Sequence, residues 1–185
     1  MTGAMTEDAP LWIFAYGSLM WRPGFAHEAC EAALLRGYHR AFCVYSVHYR
    51  GTSARPGLVL GLDRGGSCRG RAYLVAARDA EDVIAYLDAR EQVTAVYLRR
   101  RVTIEIGGQI SGIERTPAVT YVADRAHEQY AGKLPLYHAA EIILGGHGVA
   151  GDNPDYLEHT VAHLDELGIN DGPLHDLLEL VRGGG

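Results

Sequence analysis

Leu11-Trp12-Ile13-Phe14-Ala15-Tyr16-Gly17-Ser18-Leu19-Met20 is the stretch on which the fold of this chain turns. Five of the six residues from Leu11 to Tyr16 are strand formers or bulky apolar groups, without polar alternation. That pattern predicts a strand buried on both faces. The run stops at Gly17-Ser18. Glycine there permits a tight turn or a positive φ, so the amides of residues 17–20 can point outward together instead of entering a ladder. The stretch reads in two ways: as a cradle for an oxyanion or carboxylate, or as the plain turn with which any strand can end.

A second segment bears on that choice, Asp79-Ala80-Glu81-Asp82-Val83-Ile84-Ala85-Tyr86-Leu87-Asp88-Ala89-Arg90-Glu91. It offers an Asp as N-cap and further acids in its first turn, the signature of a helix start. At about 100° per residue, Val83, Ile84, Leu87 and Glu91 share one face, while Asp82, Asp88 and Arg90 fall nearer the flanks or the solvent side. A carboxylate aimed along an apolar stripe is desolvated, and it sits at the negative end of its own helix. Both effects disfavour the anion and raise the pKa, the condition for a general acid/base near neutral pH. The other reading ends the helix one turn early and leaves Glu91 as a solvated boundary residue.

Both segments, with their order and spacing, resemble the ChaC-type gamma-glutamylcyclotransferases. The resemblance extends over nearly the whole chain, through Phe14-Ala15-Tyr16-Gly17-Ser18-Leu19, Tyr49-Arg50-Gly51-Thr52, Pro56-Gly57-Leu58-Val59-Leu60, Gly65-Gly66-Ser67-Cys68-Arg69-Gly70, Arg90-Glu91, Ala126-His127-Glu128-Gln129-Tyr130-Ala131-Gly132 and Asn153-Pro154-Asp155-Tyr156-Leu157. It implies cleavage of glutathione to 5-oxoproline and Cys-Gly, without metal or cofactor. In that chemistry the substrate's own alpha-amine attacks its gamma-carbonyl. Glu91 would serve as general base and then general acid, with Phe14, Ala15, Tyr16, Gly17, Ser18 and Leu19 as the substrate cradle. The resemblance also offers Arg50 for a substrate carboxylate and Tyr130 for closing the pocket. An exposed structural Arg and a tyrosine packed on a loop are the ordinary alternatives for these two. Where several members of the family carry glycines after this Glu, the present chain has Gln92-Val93-Thr94-Ala95-Val96-Tyr97. That predicts a stiffer loop and bears on substrate preference, while Tyr97 keeps a hydroxyl. The alternatives are the same chemistry on another gamma-glutamyl compound, such as an amine or an acylated antibiotic intermediate, and a non-catalytic gamma-glutamyl-binding module.

The organisation reads as α+β. Candidate strands after the first fall at residues 40–46, 58–62, 70–76, 101–106 and 118–122. Helices come late. Asn153 or Asp152 caps one that starts at Pro154 and stops at Gly168. A second follows Asp171-Gly172-Pro173, with Leu174, Leu177, Leu178 and Val181 at helical spacing. A small twisted, barrel-like sheet with helices packed outside it is the expected architecture, as the resemblance also implies. Residues 1–10 read as a loose leader, 11–182 as one gamma-glutamylcyclotransferase-like domain, and 183–185 as a tail.

Composition narrows the function further. The chain has 185 residues, 48% of them hydrophobic, enough for one sizeable core. Its net charge of −6 disfavours a nucleic-acid partner. No run approaches a membrane span and the first ten residues lack a signal-peptide pattern, so a cytoplasmic location is expected. Cys30, Cys43 and Cys68 are widely spaced and form no C-x-x-C, which predicts reduced thiols and no zinc site. Arg99-Arg100-Arg101 reads as solvated protection of a strand edge. Gly146-His147-Gly148-Val149-Ala150-Gly151 matches a dinucleotide fingerprint in letters only, because no strand remains beyond it to complete the unit. His159 and His163 lack the Glu of a zinc peptidase motif. Ser18 lacks the second glycine of a nucleophile elbow and suits a substrate hydrogen bond better.

Overall fold

The computed structural model describes residues 9–91, 93–107 and 112–184, so most of the expected leader, Gln92 and Gly185 lie outside the described residues. Five strands form a closed barrel in the order β1-β3-β2-β4-β5. They are β1 (Leu11–Ala15), β2 (Ala29–Ser46), β3 (Gly57–Val75), β4 (Tyr97–Ile106) and β5 (Glu114–Ala123). Helix α1 (Ala80–Glu91) precedes β4. After β5 come α2 (Leu136–Gly145), a small hairpin of β6 (His147–Gly148) and β7 (Gly151–Asp152), α3 (Asn153–Glu166) and α4 (Gly172–Gly183). The chain divides into two compact units, Met1–His39 with Arg64–Val122, and Arg40–Asp63 with Ala123–Gly185. Strands β2 and β3 each continue from one unit into the other.

In the first unit β1 pairs antiparallel with β3, Leu11 opposite Val75 and Ala15 opposite Arg71. It also pairs parallel with β5, Trp12 opposite Ala118. Flanked on both sides, β1 is buried as its composition demands, with Ile13, Phe14 and Ala15 at most 1% exposed. Leu11 and Ile13 on one face join Val75, Val119 and Tyr121 beneath Ala80, Val83 and Leu87 of α1. Alternation turns Phe14 to the opposite face. A Cβ on Gly70 would lie 2.2 Å from Ala15 O and 2.9 Å from Phe14 Cζ, so the close approach of β3 to β1 requires glycine there.

Strands β2 and β3 are much longer than their apolar stretches suggest. The reading at 40–46, 58–62 and 70–76 finds only their apolar parts. The intervening part of β3 is polar and holds Gly65 and Gly66 at φ of 103° and 68°, where the His39 ring contacts Gly65 O at 2.9 Å. Glycines of that kind disguise a bulged strand as a loop. The edge reading of Arg99-Arg100-Arg101 is corrected: β4 lies between β2 and β5 in a closed barrel and has no free edge. Arg99 instead binds Asp88 on α1 at 2.5 Å.

The second unit packs α2, α3 and α4 against one another. Its apolar contributions include Ile143, Leu157, Val161, Leu164, Leu177 and Val181, all buried. Helix α3 begins after Asp152 without a side-chain cap. Asn153, fully buried, is not a cap: it accepts from Leu58 N at 2.7 Å and donates to Leu58 O at 2.8 Å, completing the backbone of β3. Gly168, at φ of 68°, ends the helix as expected. Asp171 caps α4 by accepting from Leu174 N. The tail expected from residue 183 begins one residue later, since α4 includes Gly183. The glycines at 146–151 serve the hairpin, where Val149 N and Ala150 N donate to the carbonyls of His48 and Tyr49. No helix among the described residues is long and apolar enough to cross a membrane.

Candidate active site

The chain leaves β1 through a single 3-10 turn, Ser18–Met20. Gly17 opens it at φ −132° and ψ −136°, and its carbonyl accepts Met20 N at 2.9 Å. The turn therefore uses the Met20 amide, leaving Ser18 and Leu19 as the amides a 3-10 start cannot satisfy internally. Of the four outward amides the sequence suggested, Met20 is withdrawn. The turn is anchored behind: Tyr73 donates its hydroxyl to Met20 O at 2.6 Å, and Thr120 donates to Phe14 O at 2.9 Å. Leu19 packs on the cluster beneath α1.

Helix α1 reaches its last residue at Glu91, so the reading that ended it a turn earlier does not hold. Leu87 is fully buried and Ile84 packs half-buried on the same cluster, which carries the stripe up to Glu91. The Glu91 side chain is only 18% exposed. Burial holds its pKa above the usual carboxylate range, and the Arg90 cation beside it opposes part of that rise. Arg90 Nε stands 3.8 Å from Glu91 Oε1, and Arg90 Nη2 donates to Ser18 Oγ at 2.6 Å. One side chain thus spans the acid and the turn. Tyr121 on β5 lies close enough to feel the Glu91 charge, and its hydroxyl donates to Asp88 Oδ1 at 2.7 Å. Burial first, then that hydrogen bond, pushes the Tyr121 pKa up.

Helical arithmetic put Arg90 toward the solvent side, so its link to Ser18 was missed. The only signal for it was a cation next to an acid at a helix end. Tyr121 gave no signal, being one more apolar-looking strand residue. Beyond the helix, Ala95 is the one non-glycine described residue with positive φ, at 54°. The segment between α1 and β4 therefore needs a left-handed residue at Ala95.

Arg50 and Tyr130 belong to the second unit. Arg50 Nη1 donates to Asp152 O at 3.0 Å, and its guanidinium lies 5.3 Å from the centre of the Tyr156 ring. Tyr130 donates its hydroxyl to Asp63 Oδ2 at 2.8 Å, while Arg125 holds Asp63 Oδ1 at 2.8 Å. Tyr130 also bridges Val44 on β2. Nearby, Cys43 is 1% exposed, and burial followed by the charge of Asp63 pushes its thiol up to about 12. Cys68 is buried, Cys30 is half-buried, and none of the three cysteines is in a disulfide.

Residues 11–183 match a protein family described as ChaC-like protein. Among curated proteins, the chain is 34% identical over 179 residues to a glutathione-specific gamma-glutamylcyclotransferase of Escherichia coli, covering 95% of this chain and 74% of that one. It is 36% identical over 153 residues to glutathione-specific gamma-glutamylcyclotransferase 1 of Mus musculus, covering 82% and 68%. Among solved structures, a gamma-glutamyl cyclotransferase specific to glutathione from yeast superposes with a TM-score of 0.83 at 23% identity, over 95% of this chain and 97% of that one.

Proposed function

Since the chain belongs to the ChaC-like family, we propose that it cleaves glutathione by cyclisation, with Glu91 as the acid/base and the Ser18–Leu19 amides as the donors that receive charge. The observation that carries this reading is Glu91 itself, an acid at the end of an apolar stripe, desolvated and joined through one guanidinium to the turn after β1.

The alpha-amine of glutathione is mostly ammonium at neutral pH and must lose a proton before it can attack. Glu91 takes that proton. The amine nitrogen then bonds to the gamma-carbonyl carbon, closing a five-membered ring whose proximity the substrate supplies itself. The carbonyl oxygen gains negative charge, which the Ser18 and Leu19 amides stabilise; loss of one such donor commonly costs about 10²- to 10³-fold in rate. As the bond to the cysteinyl nitrogen breaks, Glu91 returns the proton to that leaving amine, and the surplus proton on the ring nitrogen passes to solvent, which leaves a neutral lactam. The products are 5-oxoproline and Cys-Gly. The residues from Phe14 to Gly17 set the position of the turn. The cytoplasm, where reduced glutathione is maintained, is the compartment we assign to the reaction.

The test is 5-oxoproline release from reduced glutathione by the wild type and by Glu91→Gln, with a gamma-glutamyl amine as second substrate. Release by the wild type alone, and from glutathione in preference to the amine, supports the whole reading. Release from the amine alone moves the substrate to another gamma-glutamyl compound. Equal release by Glu91→Gln removes Glu91 from the mechanism, and no release by a folded wild type leaves only a binding role.

A further inference from the structure

Arg90 stands between the two halves of the site without being either of them. Neighbouring residues on a helix point about 100° apart and do not ordinarily meet. Here the approach of Arg90 to Glu91 occurs at the helix end, with the other side of the guanidinium held by Ser18. A guanidinium only donates, so Ser18 Oγ is the acceptor in that bond. The hydroxyl hydrogen of Ser18 must then point away from Arg90, which makes Ser18 a donor toward whatever occupies the turn. The Arg90 side chain is 30% exposed, so its charge is only partly screened by water.

From this geometry we infer that Arg90 is a positioning residue: it sets the Ser18 turn in register with Glu91, aims the Ser18 hydroxyl as a donor, and keeps Glu91 anionic enough to accept the first proton. The inference rests on the cyclotransferase reading for its kinetic consequences, but not for its structural ones. Among the described residues, one other group close to Glu91 is engaged elsewhere. Tyr121 of β5 is committed to Asp88, and Asp88 in turn holds Arg99 of β4. Arg90 is a cation whose charge acts on Glu91.

Two measurements on Arg90→Met, Arg90→Lys and Ser18→Ala test it. The first is a carboxyl carbon NMR titration of Glu91 in the resting protein, without substrate. Arg90→Met raises the Glu91 midpoint by roughly one pH unit, the lower end of what an adjacent opposite charge does, whereas Arg90→Lys leaves it near the wild-type value. The second is the pH profile of 5-oxoproline release. Arg90→Met shifts the acid limb of kcat/KM upward by the same amount and lowers kcat by about 10- to 10²-fold, with KM changing less. Arg90→Lys recovers the limb but not kcat, because a point charge does not reproduce the fork that reaches Ser18. Combining Arg90→Met with Ser18→Ala costs less than the product of the two single losses, since the two share one contact.

An unchanged Glu91 midpoint in Arg90→Met, or losses that multiply in the double variant, overturns the inference. If Arg90→Met does not fold, Arg90→Lys decides: a full kcat in that variant overturns it. A wild type that releases no 5-oxoproline defeats the cyclotransferase reading, while the titration still judges the tie between Arg90 and Glu91.

Discussion

At the scale of the residue, Glu91 links function to stability. Its raised pKa means that the folded chain keeps the proton to higher pH than the unfolded chain does. Stability therefore falls as pH rises from the ordinary carboxylate range through the raised value, because the unfolded state binds fewer protons over that window. Glu91→Gln cannot ionise and escapes that loss. It is expected to melt at a higher temperature than the wild type at neutral pH and at the same temperature once the wild-type Glu91 carboxyl is protonated in acid; equal melting at neutral pH would show that Glu91 is not desolvated. Ala95 is strained in a simpler way. At a φ of 54° an alanine gives up about 1 kcal/mol or more that glycine does not, less what glycine loses in chain entropy. Ala95→Gly should raise stability by about 0.5 kcal/mol, read as a shift in denaturant midpoint.

At the scale of the element, the joints of β3 are more informative than its strand residues. Gly70→Ala would drive a methyl into Ala15 O on β1 and should lower stability by several kcal/mol, on the order of a severe core lesion. Asn153→Ala removes both hydrogen bonds to Leu58 and leaves a buried amide and carbonyl unpaired, a loss of roughly 2–4 kcal/mol. Chemical denaturation of the purified variants measures both. What could be read from the chain beforehand follows the same division. β1 and α1 were legible because each announces itself locally, β1 by an unbroken apolar run and α1 by a stripe with acids at its start. Helix α2 was not: it follows Pro135 with no side-chain cap, and its Ile142-Ile143-Leu144 run carries no helical period. The full lengths of β2 and β3 were hidden because their middle residues are polar and glycine-bearing. At the candidate site, the burial of Glu91 could be read from spacing alone, but the Arg90–Ser18 bond joins residues 72 apart and no periodicity encodes it.

At the scale of the whole molecule, the boundaries between the two compact units fall inside β2 and β3 and before the last residue of β5, not in linkers. A strand cannot melt in one half without fraying its ladder in the other, so one cooperative transition is expected. Calorimetry should give a single peak that both Gly70→Ala and Asn153→Ala move, although they lie in different units; two separable peaks would show independent domains. The burial of Cys43 and Cys68 acquires meaning at this scale too. The proposed removal of glutathione would alter the redox poise around the protein, and as the pool shrinks its oxidised fraction weighs more. A thiol held near a pKa of about 12 has almost no thiolate with which to attack a disulfide. Incubation with oxidised glutathione should therefore leave Cys43 unmodified in the native protein, burial alone should do the same for Cys68, and any mixed disulfide should be confined to Cys30, so that under the proposed activity the core stays intact in the oxidising conditions that turnover helps to create.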